Sequence, residues 1–308
     1  MKQLLENSKL ILMEAAIVEQ LRRSRDIRLH GTLVNAALIY EKSGRQALAR
    51  LYQGYIDIAQ AAAVPFLMCT PTWRANRSRV YDSGVSRSVN IDAAQFMADL
   101  RDMPGNSGTP IRIGGMIGCR NDCYRPAEGL SAKESEAFHS WQIDQLAQGR
   151  VDFLIAETLP SVEEAVGIAK AMESTELPYI ISFVIDRHAS VLDGTPLNDA
   201  LQRIDSATRR LPVGYLVNCS YPTFLHAGRQ PTALFSRLIG YQANASSLDH
   251  CELDNADNLE TENLAEWGEA MLTLNRTYGV RILGGCCGTG IEHLRYIVNK
   301  SSLSVRRI

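Results

Sequence analysis

The sequence predicts an α/β fold, a (β/α)8 TIM barrel spanning residues 1–308 as a single domain, and three observations point there. Short apolar, β-branched runs alternate with longer amphipathic ones, which is the rhythm of βα units around a parallel sheet. There are eight such runs, the number that closes a barrel. The 308 residues suit one large α/β barrel, since these routinely exceed about 250 residues as one unit. An open doubly wound sheet is the main rival. No Gly-x-Gly-x-x-Gly follows the first strand to support its dinucleotide-binding version.

The candidate strands are LILM (10–13), VPFLMC (64–69), IRIGGMIG (111–118), VDFLIAE (151–157), YIISFVI (179–185), VGYLVN (213–218), RLIGYQA (237–243) and VRILGG (280–285). They are short and apolar on both faces, as strands buried on both sides must be. Helical segments lie between them. GRQALARLYQGYIDIAQAA precedes the second strand, and SAKESEAFHSWQIDQLAQG precedes the fourth. SVEEAVGIAKAMEST follows the fourth, and NLAEWGEAMLTLNRTYG precedes the eighth. Ser131 with Glu134, and Ser161 with Glu164, have the spacing of capping boxes. Gly279 is placed as a C-cap. About 50 residues separate the first two strands; the polar part around 22–35 reads as decoration on the barrel.

Charge and hydropathy exclude several classes. Formal net charge is −2 and the pI about 6.3, which argues against a nucleic-acid binder that works by bulk electrostatics. No apolar run reaches the roughly 18–20 residues of a membrane span. The first residues carry acids within their apolar part, unlike a secretory signal. Seven cysteines, an odd number with two adjacent, fit a reducing, cytoplasmic setting with thiols free for metal or catalysis.

In a barrel of this kind the chemistry sits at the carboxyl ends of the strands. That rule selects Glu14, Cys69 to Trp73, Cys119, Glu157, Thr158, Asp186, Asn218, Cys219, Asn244, Cys286 and Cys287. Three of the cysteines stand at the ends of strands six and eight. Those ends are roughly 10 Å apart at normal strand spacing, a gap that inward-pointing side chains can close. Three thiolates at one point suit Zn²⁺, with a fourth tetrahedral position left open as in catalytic sites. A buried cysteine can also be a small apolar filler, but adjacent cysteines would point to opposite faces of a strand. The glycines of GGCCGTG (284–290) allow an unusual backbone path; a phosphate cradle is the other reading of such a loop. Cys119 and Cys123 read as unpaired loop thiols and Cys69 as barrel lining. His139 and His293 read as surface or interhelix partners. His188 is the one histidine near the mouth, and Trp73 either stacks on a ligand or covers the barrel end.

The segment ILGGCCGTGIEHL (282–294), with VNCSYP (217–222), strongly resembles the homocysteine S-methyltransferase family. The resemblance extends to EGLSAKESEAFHSWQIDQLAQGRVDFLIAETLPSVEEA (128–165), SF (182–183), LDGTPL (192–197) and ANASSLDHCELD (243–254). It implies a (β/α)8 barrel that binds zinc through Cys219, Cys286 and Cys287 and methylates a thiol. It also places Glu157 and Asn218 near the acceptor amino acid, and Asn244 is grouped with them. The implied partners are a small-molecule thiol acceptor and a small sulfonium donor, S-methylmethionine or S-adenosylmethionine. The length leaves no room for the folate and cobalamin modules of the large methionine synthases.

Two stretches depart from the family pattern. Glu14-Ala15-Ala16 stands where relatives commonly have Asp-Gly-Gly or Asp-Gly-Ala, and Pro71 stands where they often have Asn. Both lie at the predicted mouth, and the longer Glu14 with the two alanine methyls adds volume there, so Glu14 is expected to line and narrow the acceptor pocket. Another thiol or a selenol is the alternative acceptor, and a zinc- or thiol-binding protein without catalysis is the alternative class. A thioredoxin-like redox protein would need a C-x-x-C, and the sequence has none.

Overall fold

The structure, a computed structural model, describes residues 1–248 and 262–301. Cys251 and the second half of ANASSLDHCELD lie outside the described residues. Eight strands form the framework: β1 (Ile11–Met13), β2 (Phe66–Cys69), β3 (Ile111–Ile117), β4 (Phe153–Leu159), β5 (Tyr179–Phe183), β6 (Gly214–Ser220), β7 (Leu238–Ala243) and β8 (Ile282–Gly285). Each pairs in parallel with the next, and β8 closes on β1 through Ile11↔Ile282 and Leu12↔Leu283. The predicted (β/α)8 barrel is the observed fold.

The strands read as continuous apolar runs because both faces are covered. Ile11, Met13, Leu67, Cys69, Phe153 and Ile155 fill the barrel interior. The intervening Leu12, Phe66, Met68 and Leu154 belong to the outer core packed beneath the helices. This is the period of two that a pleated strand imposes. Gly114 shows how tightly the interior is filled: a Cβ there would sit 2.7 Å from the Phe153 ring. The amino-terminal helix Lys2–Asn7 adds Leu5 to the interior cluster, with Met1 and Leu4 packed against it.

Local capping explains where helices start and stop. Ser131 and Glu134 make the expected reciprocal capping box on the helix Ala132–Gln148. Gly279 ends the helix Leu264–Tyr278 in the left-handed conformation at φ 75°. Ser161 does occupy the N-cap of the helix Val162–Glu173, but the second expected box does not form. Glu164 is instead buried, accepting the Arg120 N–H at 2.7 Å and meeting His139 Nε2 at 3.0 Å. Asp193 takes over at the helix start by accepting the Val162 N–H. A partner across the packed helix pair outcompetes an exposed local hydrogen bond. His139 is thus an interhelix partner, fully buried.

The long link between β1 and β2 holds a helix, Val18–Arg23, a 3-10 turn, Ala36–Tyr40, and the helix Lys42–Ala61. It does more than decorate, since Val34 and Asn35 reach the cavity described below. Among the described residues no helix is long and apolar enough to cross a membrane.

Candidate metal centre and active site

A cavity of about 1000 Å³ opens at the carboxyl ends of the strands. Glu14, Glu157, Cys219, Asn244, Cys286 and Cys287 all line it. Asn218 stands behind this wall, 1% exposed, and positions its neighbours.

The backbone turns sharply at two strand ends. Thr158 in β4 has φ 59° and Cys219 in β6 has φ 54°, conformations that cost a non-glycine residue about 1–3 kcal/mol each. The strand registers shift at both places. Asn218 holds the two turns together. Its Oδ1 accepts the Thr158 N–H at 2.9 Å and the Ser182 hydroxyl at 2.7 Å. Its Nδ2 donates to Thr158 Oγ1 at 2.7 Å and contacts Cys219 Sγ at 3.5 Å. Asn244 Nδ2 donates to the Cys219 carbonyl at 3.0 Å, fixing the strained residue from the other side.

Cys286 and Cys287 come from the loop after β8, because the strand ends at Gly285. Leaving the pleat frees them from pointing to opposite faces. Two glycines make that path possible. A Cβ on Gly285 would fall 2.1 Å from Thr289 Oγ1, and Gly288 sits at φ 80°. Thr289 ties the loop by donating its N–H and hydroxyl to the Cys286 carbonyl. As a result the Sγ atoms of Cys219, Cys286 and Cys287 all lie within 4.8 Å of one another. Tetrahedral zinc with Zn–S bonds of about 2.3 Å asks for sulfurs roughly 3.8 Å apart, so modest side-chain movement completes the set. Cys219 is buried while Cys287 is exposed, leaving an open side toward the cavity. The donor chemistry and the geometry both fit a soft divalent metal. Mutual hydrogen bonding among the three thiols, then burial, pushes the Cys219 thiol up; a bound metal reverses that by taking thiolates.

Two carboxyls share the cavity floor. Glu14 is 4% exposed and Glu157 6%. Glu14 Oε2 accepts the Cys69 N–H at 2.6 Å, and Cys69 Sγ lies 3.8 Å from Glu157 Oε1. Burial, then the charge of Glu157, raises the Glu14 carboxyl well above its ordinary value. Burial likewise raises Glu157 to about 7. Glu14 is therefore not solvated, and the methyls of Ala15 and Ala16 line the cavity beside it.

Other expectations resolve as follows. Cys69 belongs to the barrel interior, and Trp73 lines the cavity with its Nε1 donating to the Glu157 carbonyl at 3.4 Å. Cys119 and Cys123 are loop thiols but buried ones, and burial pushes Cys119 up to about 12. His188 is exposed and outside the cavity wall; its N–H donates to Asp186. His293 caps its own helix, its Nδ1 accepting the Gly290 N–H. Tyr124 and Gln242 line the cavity without being strand-end candidates. Tyr124 lines the cavity, and its hydroxyl, raised by burial and by the thiols around it, feels Cys219, Cys287 and Cys286. No local pattern marked it. Gln242 is the one amide side chain within the run RLIGYQA. Its Oε1 and the Asn244 Oδ1 are buried with no hydrogen-bond partner among the described residues, although both residues line the cavity.

Comparison with known proteins now places the chain. The profile of the homocysteine S-methyltransferase family matches residues 11–301. The chain belongs to that family, and with it to the methyltransferase class of enzymes. It is similar to the homocysteine S-methyltransferase YbgG of Bacillus subtilis, at 23% identity over 96% of this chain and 95% of that one. It also resembles the S-methylmethionine–homocysteine S-methyltransferase BHMT2 of Pongo abelii, at 24% identity over 71% of this chain and 62% of the relative. Among solved structures, the metallated form of the homocysteine methyltransferase MmuM from Escherichia coli superposes with a TM-score of 0.75 at 17% identity, covering 97% of this chain and 99% of that one. Its oxidized form gives 0.74 at the same identity, covering 96% and 98%. At that identity the two structures establish the shared fold.

Proposed function

We propose that the chain transfers a methyl group from a small sulfonium donor, S-methylmethionine or S-adenosylmethionine, to the thiol of homocysteine, giving methionine. Zinc held by Cys219, Cys286 and Cys287 is its cofactor. The observation that carries this reading is the meeting of three thiols within 4.8 Å on the wall of a cavity that also holds two buried carboxyls. The bond between sulfonium sulfur and methyl breaks with its electrons staying on the leaving sulfur. A new carbon–sulfur bond forms to the acceptor, and the thiol proton is released. Zinc would supply one thing, a lowered pKa for the acceptor thiol at its open position.

The chain's own residues supply the rest. Glu14 and Glu157 repel one another where both are buried, and the ammonium group of an amino acid would relieve both that repulsion and their burial. The unpartnered acceptors Gln242 Oε1 and Asn244 Oδ1 offer hydrogen bonds to the same polar head. Asn218 and Asn244 keep Cys219 in its strained turn, so the thiols that would hold the metal are fixed before substrate arrives.

The test is metal analysis together with a methyl-transfer assay. About one zinc per chain is expected, lost in Cys219→Ser, with methionine formed from homocysteine and either sulfonium donor. Zinc bound without turnover of any thiol would replace this reading with that of a zinc- or thiol-binding protein. Because Ala15 and Ala16 add two methyls to the cavity wall, the acceptor panel includes selenocysteine and small thiols. A preference for one of these would reassign the acceptor and keep the reaction.

A further inference from the structure

We propose that Arg74 and Arg79 form a carboxylate-binding subsite that positions the methyl donor. The proposal rests on the methyltransferase reading above and adds a specificity determinant to it. Both residues line the cavity, on the wall built by the loop after β2 and the short helix Arg77–Ser83.

The acids of the cavity rim are already matched. Glu19 pairs with Arg23 at 3.0 Å and accepts the Gly288 N–H. Asp122 and Glu128 both pair with Arg125. Arg74 and Arg79 have no carboxylate within 4.0 Å among the described residues. What they do have is backbone. Arg74 Nη1 donates to the carbonyls of Cys119 and Asn121, and Arg79 Nη1 donates to the Thr32 carbonyl at 3.1 Å. Those bonds anchor each guanidinium through one nitrogen and leave its other donors unspent. Arg79 feels the loss: burial, then the like charge of Arg74, lowers it from its ordinary value. Two neighbouring cations held by carbonyls, with no counter-charge, are arranged to accept an anion. A planar carboxylate matches the guanidinium fork.

The surroundings say which carboxylate. The Arg74 guanidinium lies over the Trp73 ring, 4.1 Å from its centroid, and Trp73 donates to the Glu157 carbonyl. Cys123, Cys219, Cys286 and Cys287 line the same cavity as Arg74 and Arg79. The subsite therefore shares one cavity with the thiol cluster yet sits on different loops. The acceptor would be held at its ammonium by Glu14 and Glu157, with its sulfur toward the thiols of Cys219, Cys286 and Cys287. Homocysteine keeps its own α-carboxylate beside that ammonium, so the carboxylate left for the arginines is the donor's, since S-methylmethionine and S-adenosylmethionine both carry an α-amino carboxylate.

The experiment compares S-methylmethionine with its carboxamide, and S-adenosylmethionine as a second donor, on zinc-loaded protein. Equilibrium titration of each donor reads binding whether or not turnover occurs. Charge-assisted paired hydrogen bonds imply a loss of about 10–100-fold in donor affinity for the carboxamide. Arg79→Met should bind S-methylmethionine about as weakly as wild type binds the carboxamide. Donor KM should rise by the same factor, with kcat, homocysteine KM and zinc content unchanged. Arg79→Lys should recover part of the loss. Equal wild-type affinity for donor and carboxamide would overturn the subsite, and so would a change confined to homocysteine KM. Failure of methyl transfer from every donor would count against the methyltransferase reading instead, and the titration would still decide the subsite.

Discussion

Asn218 is the side chain on which the metal centre turns, and Asn218→Ala removes it without changing any metal ligand. The substitution leaves the Thr158 N–H and the Ser182 hydroxyl as buried donors without their acceptor. Each such orphan costs about 1–3 kcal/mol. The loss of a volume the size of an amide adds to this at a site 1% exposed. A loss of about 3–5 kcal/mol of stability is therefore expected. The strained turns at Thr158 and Cys219 also lose their clamp, and removing the partner that orients a metal ligand weakens metal binding about 10–100-fold. Ser182→Ala is the control. It deletes one donor to the same Oδ1 and leaves the Thr158 N–H bonded, so about 1 kcal/mol is expected with zinc affinity unchanged. Urea unfolding of the metal-free protein reads the first quantity, and competition with a chromophoric chelator reads the second. If Asn218→Ala matched Ser182→Ala in both, the idea that the amide orients Cys219 would be refuted.

Three further outcomes are expected. Glu157 is raised to about 7 from an ordinary value of 4.5, so its ionisation costs the fold nothing below about pH 4.5 and progressively more as pH rises through 7. Glu157→Gln should then be more stable than wild type at pH 8 by about 2–3 kcal/mol, with the gain vanishing at pH 4; equal denaturation curves at pH 8 would contradict the buried charge. Gly285→Ala should crowd Thr289, dislodge the loop carrying Cys286 and Cys287 and lower zinc occupancy, at about 1–3 kcal/mol or more in stability; full zinc content would refute it. The triple change Glu14→Asp, Ala15→Gly, Ala16→Gly should raise catalytic efficiency toward homocysteine relative to smaller thiols by about 10-fold or more, with zinc affinity unmoved; identical acceptor profiles would show that this loop does not shape the pocket.

The barrel was legible because its strands are buried on both faces and so carry unbroken apolar runs. The strand-end rule selects Glu14, Glu157, Cys219, Asn244, Cys286 and Cys287, and all six line one cavity. Local patterns failed where a distant partner decides. Ser161 and Glu164 have the right spacing for a capping box, yet His139 and the Arg120 N–H claim the carboxylate across the helix interface. Tyr124 carries no signal in its own neighbourhood, because only the folded loops bring it to the thiols. The helices Arg77–Ser83, Val89–Arg101 and Leu197–Ala207 were likewise not singled out. Charge pairing was equally hidden: which acids of the rim already own a cation depends on contacts such as Asp122 with Arg125, and the Arg74–Arg79 pair emerges only once those are assigned.

The packed barrel interior, with Leu5 of the amino-terminal helix added beneath it, allows no passage along the barrel axis. Everything that reaches the thiols must come and go on the loop side. If homocysteine lies against Glu14 and Glu157 while the donor lies at the outer loops, the two substrates queue in a single vestibule, and the donor closes the way behind the acceptor. Steady-state kinetics should then show compulsory order, acceptor first, and with S-adenosylmethionine as donor the spent donor should leave before methionine. In such a blind-ended chamber, excess donor becomes an inhibitor by arriving too early.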